Sequence, residues 1–375
     1  MIKLSIINIP ALPYSKTQFF GRAWSLTITP SQGPSAGVPI VVTSDTLEPE
    51  ALRMTFTIDQ LAYSAFWHAE VIIYNANGPI SSGPSAGINL MQSVIQEGDI
   101  VTLSAGYQAD YPYPSIPPAI WTGPVFYTIQ DRLNVVDDRL IIHCLLNRIL
   151  TTQNFLNETI PSLSSQFSQA RLIAAKSAVP IQINESQIQQ AISSANPQRG
   201  AAQLPRGKSY FGNPHHYLTA LAEQNSLVSW FDNHAWNLDS LQNPVGKLIA
   251  SYAPVNINGG PPSTVDGIKL SLIGQPQQTQ YGVNFRVLLD PTVQVRAPLP
   301  QVSVMLQFVR QAPIPYPLPK GQFAPVPLNS KYVVVGVRFT GDTRGNPWYS
   351  DITGMAQIQT VIEMLGKFNA DYMAG

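Results

Sequence analysis

Cysteine is almost missing from this chain: Cys144 is the only one in 375 residues. No disulfide framework and no thiolate metal site can form within one copy. Charge is scarce too, at 12% of residues against a usual ~25%. The 22 basic and 22 acidic side chains cancel, so the chain has none of the basic excess expected of a nucleic-acid binder. No run approaches the ~18 uncharged apolar residues of a membrane span; the most apolar, Leu140 to Leu150, is broken by His143, Asn147 and Arg148. Met1 to Pro10 has one lysine and too short an apolar core for a signal peptide. These absences read as a soluble chain made in the cytoplasm.

Hydrophobic content is ordinary at 44%, but proline is abundant, with 33 residues. A compact monomer of this size exposes about 15,000 Å², so charges are spread at one per roughly 330 Å². A neutral, charge-poor exterior with normal apolar content is the composition of a surface covered by other chains.

The first 150 residues carry strand patterning. Trp24–Thr29, Leu52–Ile58, Ala69–Tyr74, Ile100–Tyr107, Trp121–Ile129 and Arg139–Leu145 alternate or are apolar, with Gly, Pro, Asn and Ser between them. Met1–Ile9 reads as an edge strand, and proline-rich 111–118 as an extended loop. From 151 to 240 the texture is mixed. Ser162–Ser177 reads as an amphipathic helix with Leu163, Phe167, Ala170 and Ala174 on one stripe. A second helix follows at Asn184–Ser194, opened by an Asn184/Gln187 capping box. A third opens at Asn213 with Pro214 in the first position, and Ser229–Leu238 alternates. From 241 strands return at 247–252, 268–273, 282–288, 301–309 and 332–339, and Gly354–Tyr372 has the spacing of a closing helix.

Catalytic constellations are hard to find. Gly-Pro-Ser-Ala-Gly occurs at 33–37 and 83–87, which would make Ser35 or Ser85 a hydrolase nucleophile. The nucleophile elbow needs a strand before the serine and a helix after it. Val38–Val42 after the first copy is strand-like, and loop precedes the second. Arg206-Gly207-Lys208-Ser209 ends like a phosphate loop, but Ala202 stands where its first glycine belongs. Of the 5 histidines, His215 and His216 diverge on a helix, and His143 and Cys144 face opposite sides of a strand. Asp137 and Asp138 fit a turn between strands. No catalytic, cofactor or metal residue is assigned, and the chain is expected not to be an enzyme.

The most distinctive segment is Tyr332–Gly354, a hairpin pattern whose turn is Gly341-Asp342-Thr343-Arg344-Gly345-Asn346-Pro347. Gly341, Gly345 and Asn346 are expected at left-handed positions and Asp342 as a local cap. Trp348 and Tyr349 then face opposite sides of the return strand, which offers one aromatic to a partner. Asp342, Arg344, Trp348 and Tyr349 are the candidate interaction residues.

This segment, through Trp348-Tyr349-Ser350-Asp351, resembles the C-terminal part of baseplate hub proteins of contractile-tailed bacteriophages. Other stretches agree in order: Ala69-Glu70-Val71-Ile72-Ile73-Tyr74-Asn75, Glu97-Gly98-Asp99 through Ala105-Gly106-Tyr107, Trp121-Thr122-Gly123-Pro124-Val125, and Ile273-Gly274-Gln275-Pro276 with Leu288-Leu289-Asp290-Pro291. The insert at 110–118 departs from the family pattern. The resemblance implies a mainly β chain with an α+β insert: two tube-protein-like β-barrel domains at 1–150 and 241–375, a mixed α/β segment at 151–240, and a C-terminal helix. It implies a structural virion protein of the tail baseplate, made in the host cytoplasm. Three copies would form a homotrimeric ring joining a sixfold tail tube protein to a threefold central spike protein, among other baseplate proteins. It implies no cofactor, no membrane partner and no sequence-specific nucleic acid, DNA at most passing through the channel. The alternative is a carbohydrate- or surface-binding tail module that stacks sugars on exposed Trp121, Trp230, Trp236 and Trp348.

Overall fold

The computed structural model describes residues 21–32, 36–43, 52–62, 67–76, 95–108, 110–111, 115–132, 138–146, 155–176, 181–183, 204, 206–224, 227–231, 236–240, 251–254, 268–278, 282–296, 310–311 and 332–356. The strand expected at 1–9, the helices at 184–194 and 354–372, the strand at 301–309 and both Gly-Pro-Ser-Ala-Gly copies at Ser35 and Ser85 lie wholly or mainly outside the described residues.

The chain is mainly β. Its first strands are β1 (Arg22–Thr29), β2 (Ile40–Thr43), β3 (Met54–Leu61), β4 (His68–Tyr74), β5 (Ile100–Tyr107), β6 (Ala119–Arg132) and β7 (Asp138–Leu145). The mixed segment holds β8 (Leu156–Ile160), α1 (Gln166–Lys176), β9 (Ile181–Ile183), β10 (Lys208–Gly212), α2 (Pro214–Gln224), β11 (Leu227–Phe231) and β12 (Trp236–Ser240). Then come β13 (Ser251–Pro254), β14 (Ile268–Gln278), β15 (Gly282–Leu288), β16 (Arg310–Gln311), β17 (Tyr332–Asp342) and β18 (Trp348–Ala356).

Twelve of these make one path, β13-β14-β15-β18-β17-β3-β4-β7-β6-β5-β1-β2, with β16 alongside β14. Neighbours are antiparallel except β13 and β16 on β14. Among the described residues the ladder does not close into a barrel. Instead, β17 pairs with β3 from Gly336↔Leu61 to Asp342↔Thr55, which joins the early and late strands edge to edge.

Alternation sets the faces. In β3, Met54, Phe56, Ile58 and Gln60 point into the core, and Thr55, Thr57 and Asp59 lie on the other face. Strand β6 serves two partners: residues up to Pro124 pair with β5 and those from Val125 with β7. Gly123 and Pro124 stand at the handover, and a register shift follows between Val125 and Tyr127, as expected where proline removes a ladder donor. The sheet curls enough for Gln60 on β3 to donate Nε2–H to the Ile120 carbonyl of β6 at 2.8 Å inside the core.

In the mixed segment, α2 begins where Asn213 Oδ1 accepts the His215 amide at 2.8 Å, the N-cap that the sequence announces. Helix α1 starts later than its pattern suggested. Ser165 Oγ accepts the Ser168 amide at 3.1 Å, and Leu163 precedes the helix at φ 67°, exposed rather than on the apolar stripe. Ser229–Leu238 is two strands, β11 and β12, which meet at Phe231↔Trp236. Lys208 and Ser209 begin β10, paired to β8, and a strand there cannot supply the helix N-terminus that a phosphate loop requires.

Candidate functional site

The hairpin β17–β18 is where distant parts of the chain converge. Its turn closes through the Asp342 amide, which donates to the Pro347 carbonyl at 2.8 Å. The Asp342 carboxylate caps the turn by accepting the Arg344 amide at 3.0 Å. It also takes both arms of the Arg53 guanidinium, at 3.2 and 2.7 Å. Burial alone would raise this carboxyl, but Arg53 and the Arg344 and Gly345 amides outweigh it and hold the pKa below the usual 3.8. Thr343 completes the seam: its amide donates to the Met54 carbonyl and its hydroxyl accepts the Met54 amide, both at 2.9 Å. The Arg22 guanidinium of β1 donates to the Asp342 carbonyl.

Trp348 is the second anchor. Its indole Nε1–H donates to the Gly106 carbonyl at 3.1 Å, and its own carbonyl accepts the Tyr107 hydroxyl at 3.1 Å. The ring meets Phe56 edge-on at 5.4 Å, with the Arg22 guanidinium 5.2 Å from its centroid. Asp342 and Trp348 are therefore buried ties between β17–β18, β3, β1 and β5. Tyr349 points the other way, half-buried, with the Arg286 guanidinium 3.9 Å over its ring. Arg344 is exposed at the tip.

The glycines of the turn act differently from expectation. None of Gly341, Gly345 and Asn346 sits in the left-handed region. They are needed for close approach: a Cβ on Gly341 would run into the Phe56 ring, and one on Gly345 into the Asp342 carboxylate. Sequence patterning alone does not distinguish these two uses of glycine.

On the outward face a row of side chains alternates in sign across four strands. Cross-strand register places Arg286 beside Asp351, Asp351 beside Arg338, and Arg338 beside Asp59. Arg286 grips Asp351 at 2.6 and 3.0 Å, and Arg338 Nη2 reaches Asp59 at 3.2 Å. These four charges are thus set in pairs, so the row is patterned but neutral.

Other candidates are placed plainly. Trp121, Trp230, Trp236 and Trp348 are all buried, at 0 to 5% exposure, so the sugar-stacking alternative loses its platforms; among the described residues the exposed aromatics are Tyr127, Phe155 and Phe211. Strand pairing brings together two histidines that the sequence kept 75 positions apart: His68 Nε2 and His143 Nδ1 lie 3.4 Å from each other. Tyr127 stacks on His143 at 4.4 Å. Burial, reinforced by His68 and opposed by Glu70, lowers the His143 pKa below 6.5. Among the described residues no group of three or more His, Cys, Asp or Glu is placed to hold a metal. Cys144 is fully buried, and burial pushes its thiol up to about 12, so it is not a ready nucleophile. No described helix is long and apolar enough to cross a membrane.

No protein-family model matches the chain, and no curated protein is similar to it. Solved structures are. One is the 43 kDa tail protein of prophage MuSo2 from Shewanella oneidensis, at 8% identity and TM-score 0.47, over 90% of this chain and 98% of that one. A tail protein from Neisseria meningitidis MC58 gives 10% identity and TM-score 0.46, over 90% and 97%. The c3393 protein of E. coli, a type VI secretion component described as structurally similar to the phage T4 tail proteins gp27 and gp5, gives 6% and 0.47, over 83% and 75%. The chain is, in these comparisons, similar to phage tail proteins and to a secretion-system component.

Proposed function

We propose that this chain is a baseplate hub: a non-enzymatic virion protein whose homotrimeric ring joins a sixfold tail tube to a threefold central spike. The observation that carries the reading is the convergence of the motif-bearing strands. The stretches that resemble hub sequences lie hundreds of residues apart, yet β4, β5, β6, β14, β17 and β18 share one sheet. The signature turn is tied to β3 by Thr343 and to β5 by Trp348, and Asp342 holds Arg53 just before β3. A segment whose residues are specified by such ties is a framework element, as a rigid adaptor requires. Nothing in it resembles an exposed nucleophile with a base beside it.

In this reading residues 1–150 and 241–375 are the two tube-like barrel regions, 151–240 is the insert, and the β3–β17 seam holds the barrel regions together. Three chains then offer six such regions to the tube. Strands β2 and β13, at the ends of the twelve-strand path, are the edges where neighbouring chains add strands. Arg344 and Tyr349 meet partner chains, and Asp342 and Trp348 position the hairpin that presents them. Cyclic symmetry requires that unlike patches meet around the ring, and a sparse, internally paired charge pattern suits large contacts of that kind. Negative-stain class averages of the purified protein test this. A threefold ring with a six-lobed rim is expected, and averages without threefold symmetry overturn it.

A further inference from the structure

We infer that the cleft between the end of β5 and the β14–β15 pair is a socket for a lysine side chain of another protein chain. This goes beyond the hub reading and does not depend on it. The cleft measures about 150 Å³, room for roughly five groups of the size of a water at ~30 Å³ each. A lysine side chain has that many heavy atoms.

Its lining is divided in chemistry. Asp110, Asp290 and Ser271 supply oxygen, and no basic side chain is among the described lining residues. The rest of the wall is Tyr111, Leu288, Leu289 and Pro291. Asp290 is built in: its Oδ1 accepts the Thr292 amide at 3.0 Å and the Thr292 hydroxyl at 2.6 Å, and the residue is 4% exposed. The Asp290 amide donates to Ser350 Oγ on β18 at 3.2 Å, which fixes the cleft against the hairpin. Ser271 is 1% exposed, and its Oγ has no hydrogen-bond partner among the described residues. A buried hydroxyl without a partner is rare in a finished structure, and this one lines the cleft. Asp290 and Asp110 both act electrostatically on the Tyr111 hydroxyl, whose pKa is raised by burial first and then by these two carboxylates.

A primary ammonium has three N–H donors, and the cleft presents two carboxylates, Asp110 and Asp290, with the Ser271 and Tyr111 hydroxyls beside them. The aliphatic stem that carries such an ammonium needs an apolar wall, which Leu288, Leu289 and Pro291 provide. A bare metal ion would make no use of that wall. The aromatic face of Tyr111 adds a surface that favours cations.

Saturation-transfer NMR on the 375-residue chain tests the socket. The probes are Nα-acetyl-lysine methylamide and its uncharged counterpart, Nα-acetyl-norleucine methylamide. Transfer to the lysine δ and ε methylenes is expected, with little to norleucine. Asp290→Asn or Ser271→Ala should weaken binding, by about tenfold for a lost charge-assisted bond. Asp110 is exposed, so Asp110→Asn retains the fold even if the Asp290 variant does not, and it should weaken binding similarly. Equal transfer to both probes, or a lysine signal unchanged in Asp110→Asn, overturns the socket. Full displacement by millimolar calcium chloride overturns it in favour of a metal site. Tighter binding of 1,4-diaminobutane than of the lysine probe overturns the side-chain source.

Discussion

Asp342→Ala is the sharpest perturbation of the hairpin lock, because it removes both Arg53 contacts and the cap on the Arg344 amide while leaving every strand in place. The Arg53 side chain is 46% exposed and that of Asp342 9%. The ion pair is therefore screened on one side and contributes at most about 1 kcal/mol. The Arg344 amide loses a charged acceptor, at about 1–1.5 kcal/mol. The total is about 2–2.5 kcal/mol, or a fall of roughly 1 M in the urea midpoint for a slope near 2 kcal/mol/M. Asp342→Asn keeps an oxygen for the Arg344 amide and should lose about half as much. Urea unfolding followed by tryptophan fluorescence, with Arg53→Ala and the double variant, separates the two parts. A coupling of about 1 kcal/mol between positions 53 and 342 is expected. If Asp342→Ala moves stability by less than about 0.5 kcal/mol, or if the asparagine and alanine variants are equal, the carboxylate is not the tie described above.

Three further outcomes follow from the same geometry. Gly341→Ala should cost about 1–3 kcal/mol by forcing a methyl group into the Phe56 ring, and thermal unfolding with Phe56→Leu as a partial rescue checks it. His143 and His215 both have pKa values lowered from 6.5, in each case chiefly by burial. The unfolded chain therefore binds more protons below about pH 6.5, so stability should be full above that value and decline as pH falls toward the folded pKa values; denaturation at pH 7.5 and 5.5 reads it, and His143→Gln should flatten the curve. Arg338→Ala, by contrast, removes a surface pair and should change monomer stability by under about 1 kcal/mol, because the alternating row is exposed.

Much of the strand architecture is legible in the residues. Ile100–Tyr107 and Gly282–Leu288 are strands at the limits their patterns mark, because an alternation flanked by Gly, Asp or Asn leaves the backbone one good solution. The opposite facing of Trp348 and Tyr349 follows from the same period of two. What could not be read is pairing at long range. Nothing local in β3 says that it meets β17, some 280 positions away, so the merging of early and late strands, the His68–His143 contact and the Arg53–Asp342 tie all needed coordinates. The same holds for the cleft, whose Asp110, Ser271 and Asp290 come from separate loops and strands. Burial of every candidate sugar-stacking tryptophan shows a related limit: composition gives the number of indoles but not which side of a sheet they take. In β11 and β12 an even alternation concealed two antiparallel strands, since Trp230 and Trp236 keep the same parity along the sequence.

Multi-angle light scattering on the purified chain at micromolar concentration tests the central claim most directly. A single species of three times the 41.0 kDa chain mass is the predicted result. A stable species of one chain mass, unchanged by further concentration, would contradict a hub built by three copies covering one another's uncharged surface.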